Sequence, residues 1–346
     1  MRLLFFTRKF PPQVGGMEKL SYGLSKEFGK HADTTLITWG HSQKFLPVFI
    51  PFAFLRALFI IPLKKIDHVH LGDALLAPLG LILKKLYGVK VSVTVMGLDI
   101  VYDFPVYRFI IPGSVALLDK VICISQATKS ECVKRGVLEK KCVVITPGVY
   151  PEEFQTKASR HDLEKIVKKD LSGKKVLITV GRLVKRKGVY WFIDKVLPKL
   201  NSNIIYLVIG DGTEKDLIEI SINKNNLSDR VFLLGKIRDE DLRIIYNTSD
   251  LFVMPNIKVS GNMEGFGIVA VEASSVGLPL VASDIEGIQD SVINNKTGIL
   301  AKSLDSQSFI KAIDSALKLK KSEIIKTSVE NFSWPKIGKK YVKNII

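Results

Sequence analysis

The chain has 346 residues, 47% of them hydrophobic, and 51 Lys and Arg against 34 Asp and Glu give a formal net charge of +17. That length suits two α/β domains of ordinary size, and the charge calls for an anionic partner: nucleic acid, phosphorylated substrate or anionic lipid. No zinc spacing, RNA-binding signature or helix-turn-helix pattern supports nucleic acid, and three cysteines without a CxxC pair exclude a disulfide framework, so reduced thiols in a cytoplasmic protein are expected.

Residues 2–6 read as an opening strand, with no cleavable signal peptide ahead of it. Residues 7–16 form a loop ending in Gly15-Gly16, and residues 17–28 carry helical periodicity through Leu20, Leu24 and Phe28. Strand, glycine-ended loop and helix make a phosphate or sugar cradle, although neither a GxGxxG fingerprint nor a P-loop is present. Residues 34–38 give the second strand. Residues 45–63 hold one charge, Arg56, and approach the length of a membrane span. Pro47, Pro51 and that arginine favour a buried or interfacial helix ending at Lys64-Lys65. Strands at 68–71, 90–95, 120–125 and 143–147 alternate with a helix at 75–86, the pattern of a parallel sheet wrapped by helices. His70, Asp99 and Ser125 lie near the ends of these strands.

Residues 156–173 are charged and aperiodic, so the interdomain connection is expected there. A new sheet starts at 175–180 and runs into Gly181-Arg182-Leu183-Val184-Lys185-Arg186-Lys187-Gly188, with a helix from Val189. Arg182 and Lys187 on this glycine-bounded loop suit a diphosphate; arginine supplies a fork of donors and lysine a point charge. Further strands follow at 204–210 and 231–235. Asp239-Glu240-Asp241 reads as acids at a helix start, with Leu242, Ile245 and Tyr246 in helical spacing, and no metal site is expected.

Residues 251–254 are a short apolar strand ended by Pro255, and a polar loop follows. Glu264-Gly265-Phe266-Gly267 then opens a small-residue helix reaching Val276, before a strand at 278–282. The loop of this βαβ unit falls where open α/β sheets bind ligands. Glu264 sits in the loop, whereas Glu272 sits among Ala270, Val271 and Ala273. A carboxylate there needs hydrogen-bond donors, and a vicinal diol supplies two. Glycines at 265 and 267 allow close backbone approach, and the helix start suits an anion. The pair also reads as a surface acid and a helix-start acid.

Together these features resemble the retaining glycosyltransferases of family 4 over nearly the whole chain. The GRL…KG loop, the Gly210-Asp211-Gly212 turn and the E-x7-E spacing of Glu264 and Glu272 carry the likeness. The resemblance implies the GT-B architecture, two Rossmann-like α/β domains facing across a cleft. The expected domains are residues 1–160, rejoined by a tail at 334–346 that begins with Trp334, and residues 161–333. It also implies that Arg182 and Lys187 hold the nucleotide diphosphate, Glu264 touches sugar hydroxyls beside Gly265, Phe266 and Gly267, and Glu272 binds the ribose diol. Gly15 and Gly16 would close over the diphosphate, and Gly210 would line the base pocket. His70, Asp99 and Ser125 are candidate acceptor contacts. Two departures stand out: Met96 where the family usually has histidine, and Thr146-Pro147-Gly148 where many relatives have asparagine before glycine.

The expectation is a metal-independent retaining glycosyltransferase without a cofactor. It would use a nucleotide-sugar donor and a glycan or lipid-linked acceptor, in peripheral contact with anionic membrane on its cytoplasmic face. The alternatives are a GT-B nucleotide-sugar epimerase or phosphorylase and a catalytically silent sugar-nucleotide or polyanion binder.

Overall fold

A computed structural model describes residues 1–345, and the chain divides into two compact units. The first holds residues 1–148 and 261–266 and the closing helix; the second holds residues 149–260 and 267–333.

Strands β1 (Arg2–Thr7), β2 (Asp33–Thr38), β3 (His68–Leu71), β4 (Lys90–Val95), β5 (Lys120–Cys123) and β6 (Cys142–Val144) form the first sheet. It is parallel, in the order β2-β1-β3-β4-β5-β6. Around it lie α1 (Gly16–His31), α2 (Leu46–Leu63), α3 (Ala77–Tyr87), α4 (Leu98–Val101), α5 (Pro105–Leu117) and α6 (Gln126–Lys134). Leu3 to Phe6 are all buried, because a parallel strand covered on both faces needs an unbroken apolar run. Alternate side chains point to opposite faces. Phe5 meets Phe28 of α1 (ring centroids 5.4 Å apart), and Phe6 meets Phe49 of α2 (6.5 Å).

The second unit holds α7 (Arg160–Val167), β7 (Lys175–Val180), α8 (Val189–Lys195), β8 (Ile204–Ile209), α9 (Lys215–Lys224), β9 (Val231–Gly235), α10 (Asp239–Thr248) and β10 (Leu251–Met254). It continues with α11 (Ile268–Ser275), β11 (Leu280–Ser283), α12 (Ile288–Ser291), β12 (Gly298–Ala301), α13 (Ser306–Ala316) and α14 (Lys321–Phe332). Its parallel sheet runs β12-β11-β10-β7-β8-β9. Read from the other edge this is 3-2-1-4-5-6, the dinucleotide-fold order.

The closing helix α15 (Trp334–Ile345) belongs to the first unit and packs on α1. A Cβ at Gly23 would lie 2.1 Å from the Trp334 ring, and one at Gly338 would lie 2.6 Å from Glu27. The division into compact units falls at residues 148/149, ahead of the connection expected at 156–173. Val149 bridges to Ser333 within the second unit, and the charged stretch expected as connection holds α7. Only Leu163 and Val167 of that helix are buried, too few to show a period in sequence, and a Ser159–Asp162 capping box starts it.

His70 lies in the core, not at a ligand edge. It is fully buried beside Phe5, Phe28 and Tyr341. Its Nδ1 pairs with the Ser92 hydroxyl at 2.7 Å and its Nε2 with Thr94 at 2.9 Å, while His68 Nε2 meets Ser92 at 2.7 Å. Both ring nitrogens of His70 are thus engaged, which corrects its expected role as an acceptor contact. Burial pushes His68 down to about 4 and His70 to about 3. Both groups take up protons on unfolding below their ordinary value near 6.5, so they withdraw stability as pH falls. Asp99, raised by burial to about 6, acts the opposite way between that value and its unfolded value. Between pH 6 and 4 two histidines oppose one aspartate, and these groups lower stability by roughly 1.4 kcal/mol per pH unit. Denaturant titrations across that range should show stability falling with pH, and a shallower fall in His70→Gln.

Candidate active site

In the second sheet the strand order reverses between β7 and β10, the switch point where open α/β sheets bind ligands beyond their carboxyl ends. Two loops meet there. The loop after β7 ends at Gly188, which has φ +65°; a Cβ there would lie 1.9 Å from the Pro255 carbonyl oxygen that follows β10. The Ile257 amide donates to the Arg186 carbonyl at 2.9 Å and ties the loops together. Beside them Gly210 has φ +131°, and its Cβ would lie 1.9 Å from the Gly181 carbonyl oxygen. Only glycine serves at either position. Gly210→Ala is expected to destabilise the second unit by about 2–4 kcal/mol, through strained φ and a backbone clash. Thermal unfolding checks this; an unchanged midpoint would mean the strand ends have slack.

Arg182 is exposed; its carbonyl oxygen accepts from the Val184 amide at 2.9 Å, and among the described residues its side chain forms no hydrogen bond or ion pair. Lys187 is half-buried and lies over β7's end, its Cε and Nζ 3.5 and 3.8 Å from where a Gly181 Cβ would be. Arg186, passed over in the sequence, is the buried cation of this loop.

Helix α11 begins at Ile268, after Gly267 in the left-handed region at φ +84°. Glu272 is wholly buried, and its Oε2 accepts from the Tyr246 hydroxyl of α10 at 3.0 Å. Burial and the Glu272 charge push that hydroxyl well above the usual tyrosine range, so it remains a donor. Tyr246 was readable in the sequence only as part of an apolar stripe.

Residues 261–266 group with the first unit. Glu264 is half-buried and Phe266 buried. A Cβ at Gly265 would lie 2.1 Å from the Met96 carbonyl oxygen, so glycine is required there by backbone.

The first sheet has its own switch point, between β1 and β3. Arg8, after β1, donates from Nε to Asp73 Oδ1 at 3.0 Å and from Nη1 to Gln43 at 3.1 Å. Asp73 Oδ2 is buried without a partner among the described residues. Asp99 accepts from the Ala74 amide at 2.9 Å and the Met96 amide at 2.8 Å, and its carbonyl oxygen accepts from the Tyr107 hydroxyl at 2.7 Å. Asp99 therefore pins the loops after β3 and β4. Ser125 is buried as the cap of α6, accepting from the Thr128 amide at 3.1 Å. Both side chains support the local backbone, and Ser125 Oγ also lies 2.9 Å from the Thr128 hydroxyl. Over Gly15, at the turn into Gly16, stands the Glu18 carboxylate, paired with Lys9 at 3.3 Å.

The second unit thus gathers Arg182, Lys187, Gly210, Gly267 and Glu272 on one sheet edge. In the first, Arg8 pairs with Asp73, Asp99 ties the loops after β3 and β4, and Gly265 lies against Met96; the sequence reading missed Arg8 and Asp73 because the partners lie far apart along the chain.

Comparison with known proteins identifies the family and the fold. The profile of the glycosyl transferases group 1 matches residues 162–328, and that of Glycosyltransferase Family 4 matches residues 14–153. The phosphatidylinositol N-acetylglucosaminyltransferase GPI3 subunit of Saccharomyces cerevisiae is 24% identical over 380 residues, covering 96% of this chain and 80% of that protein. An Escherichia coli UDP-Gal:alpha-D-GlcNAc-diphosphoundecaprenol alpha-1,3-galactosyltransferase is 29% identical over 266 residues, covering 72% and 66%. The crystal structure of Anabaena Alr3699/HepE in complex with UDP superposes with a TM-score of 0.80 at 19% identity, covering 99% of both chains. Sucrose-phosphate synthase from Thermosynechococcus elongatus gives 0.80 at 19% identity, covering 99% and 98%. With two such profiles in order along the chain and the two parallel sheets of the GT-B architecture, the protein belongs to the group 1, family 4 glycosyltransferases.

Proposed function

We propose that the chain transfers a sugar from a nucleotide-diphosphate sugar to an acceptor hydroxyl with retention of anomeric configuration. The observation that carries this is the β7/β10 edge, where exposed Arg182 and half-buried Lys187 stand on the loop after β7 and Glu272 is buried in α11, which follows β10. Arg182 and Lys187 stabilise the charge that develops on the leaving diphosphate, with no metal or cofactor taking part. Glu272, oriented by Tyr246, binds the ribose diol, and Glu264 contacts the sugar. The leaving diphosphate takes the acceptor proton as the hydroxyl attacks from the same face. Met96 leaves the usual histidine contact unfilled.

The acceptor is lipid-linked, and the enzyme is peripheral on the cytoplasmic face of an anionic membrane. The acceptors named for the yeast and Escherichia coli relatives support this, as does α2. Gln43–Leu63 is long and apolar enough to cross a membrane by length and composition. Yet Phe49, Ala53, Ala57 and Ile61, one stripe at i+4 spacing, dock it along the sheet, which suits a helix lying in the interface. The relative solved with UDP makes UDP-sugars the first donors to try.

A thermal-shift panel of UDP-, GDP- and ADP-sugars tests the donor reading. One nucleotide family should raise the midpoint as ln(1 + [L]/Kd) requires; a flat panel would contradict it.

A further inference from the structure

Helix α3 packs against both α2 and α5, so the three form one outer face of the first unit, on the side of the sheet away from α1. That face is apolar where it meets solvent. On α2 the exposed side chains are Val48, Phe52, Leu55, Phe59 and Leu63; on α3, Ile82 and Leu86; on α5, Val106, Phe109 and Ile110. Phe109 is 83% exposed and Val48 73%. An ordinary soluble surface does not gather so many large apolar groups.

The charges carried by these three helices have one sign. Helices α2, α3 and α5 contain no Asp or Glu and carry Arg56, Lys84, Lys85 and Arg108, while Lys44, Lys64 and Lys65 flank α2. Asp103 and Asp119, which flank α5, pair with Arg108 and Lys84. A second copy laid on this face would oppose cation to cation, whereas an anionic lipid surface complements it.

We infer that α2, α3 and α5 form a single lipid-facing platform that sets this unit on an anionic bilayer, with α5 immersed as well as α2. The inference deepens the sugar-transfer reading and rests on it. Tyr107 of α5 is bonded to Asp99 at the carboxyl edge of the first sheet. Immersion of α5 therefore holds that edge at headgroup level. The acceptor class that fits is a short saccharide on a lipid, its reacting hydroxyl close to the headgroups, and not a long soluble polymer.

The test places a reporter on each face. Phe109→Trp sits on α5 and Lys26→Trp on α1, and each is compared with the parent, which has three tryptophans. Both proteins are mixed with phosphatidylcholine vesicles containing phosphatidylglycerol, with and without acyl-chain bromine. Trp at 109 should be quenched by the brominated lipid and Trp at 26 should not. The exposed double change Phe109→Ser with Ile110→Ser should weaken vesicle binding about tenfold or more, and binding should fade with salt and on phosphatidylcholine alone. Vesicle-bound protein with Trp at 109 unquenched would overturn the platform and leave a membrane-acting transferase whose contact is α2 alone. No binding to anionic vesicles would overturn the membrane contact too, while donor binding in the thermal-shift panel would still stand. A dimer in solution that the double change converts to monomer would show that a second copy covers the face, and would also overturn the inference.

Discussion

Arg182→Ala is expected to lower kcat/KM by roughly 100-fold or more, about 3 kcal/mol of transition-state stabilisation, while the thermal midpoint stays at the parent value. The structure makes this a clean experiment. Arg182 is exposed, and among the described residues its side chain holds nothing else in place, so its removal costs the fold little. A diphosphate leaving group gains negative charge as the glycosidic bond breaks, and a forked guanidinium at the switch point answers it directly. Lys187→Ala should lose a similar factor but also some stability, because its half-buried stem packs beside Gly181. Steady-state kinetics with the donor found by thermal shift decide the matter. Near-parental rates in both variants would make residues 181–188 a solvated basic turn.

The two glutamates should separate by function, and Glu272→Gln carries the second large effect. Its carboxylate is wholly buried and oriented by Tyr246. The neutral amide keeps the shape and loses the charge that strengthens hydrogen bonds from a ribose diol. Affinity for the nucleoside diphosphate should drop by about 2–3 kcal/mol, roughly 30- to 150-fold. Tyr246→Phe should show a smaller loss in the same direction, because it removes the orienting donor. Glu264→Ala should lower turnover while free-nucleotide affinity stays close to parental, because the proposed function sets that residue against the sugar. Isothermal calorimetry with the diphosphate, set beside kcat, separates these outcomes. Equal affinity losses in Glu272→Gln and Glu264→Ala would end the division of roles.

Much of the second unit was legible because its strands are short apolar runs punctuated by glycine and proline. The strands at 175–180, 231–235 and 251–254 stand where the pattern put them. The glycines of the switch point were legible too, since backbone crowding at Gly188 and Gly210 leaves no other residue type. Partnerships across the fold were not legible. His70 at a strand end looked like a ligand contact, and only its cross-strand neighbours Ser92 and Thr94 reveal a core residue. Tyr246 is an apolar-stripe residue until Glu272 is placed beside it. The Arg8–Asp73 pair spans 65 residues of sequence. Helix α5 at Pro105–Leu117 was not assigned from the sequence at all, and an apolar stretch does not say which of its sides is left uncovered.

The central claim is retaining sugar transfer, and the product's anomeric configuration tests it most directly. The protein is incubated with its stabilising nucleotide-sugar and a membrane-lipid extract, and the glycosylated lipid is examined by proton NMR. The account predicts a new glycosidic linkage with the donor's own anomeric configuration, formed together with free nucleoside diphosphate that appears only when the lipid is present. An inverted linkage, an epimerised donor, or no transfer under conditions where the donor binds would contradict it.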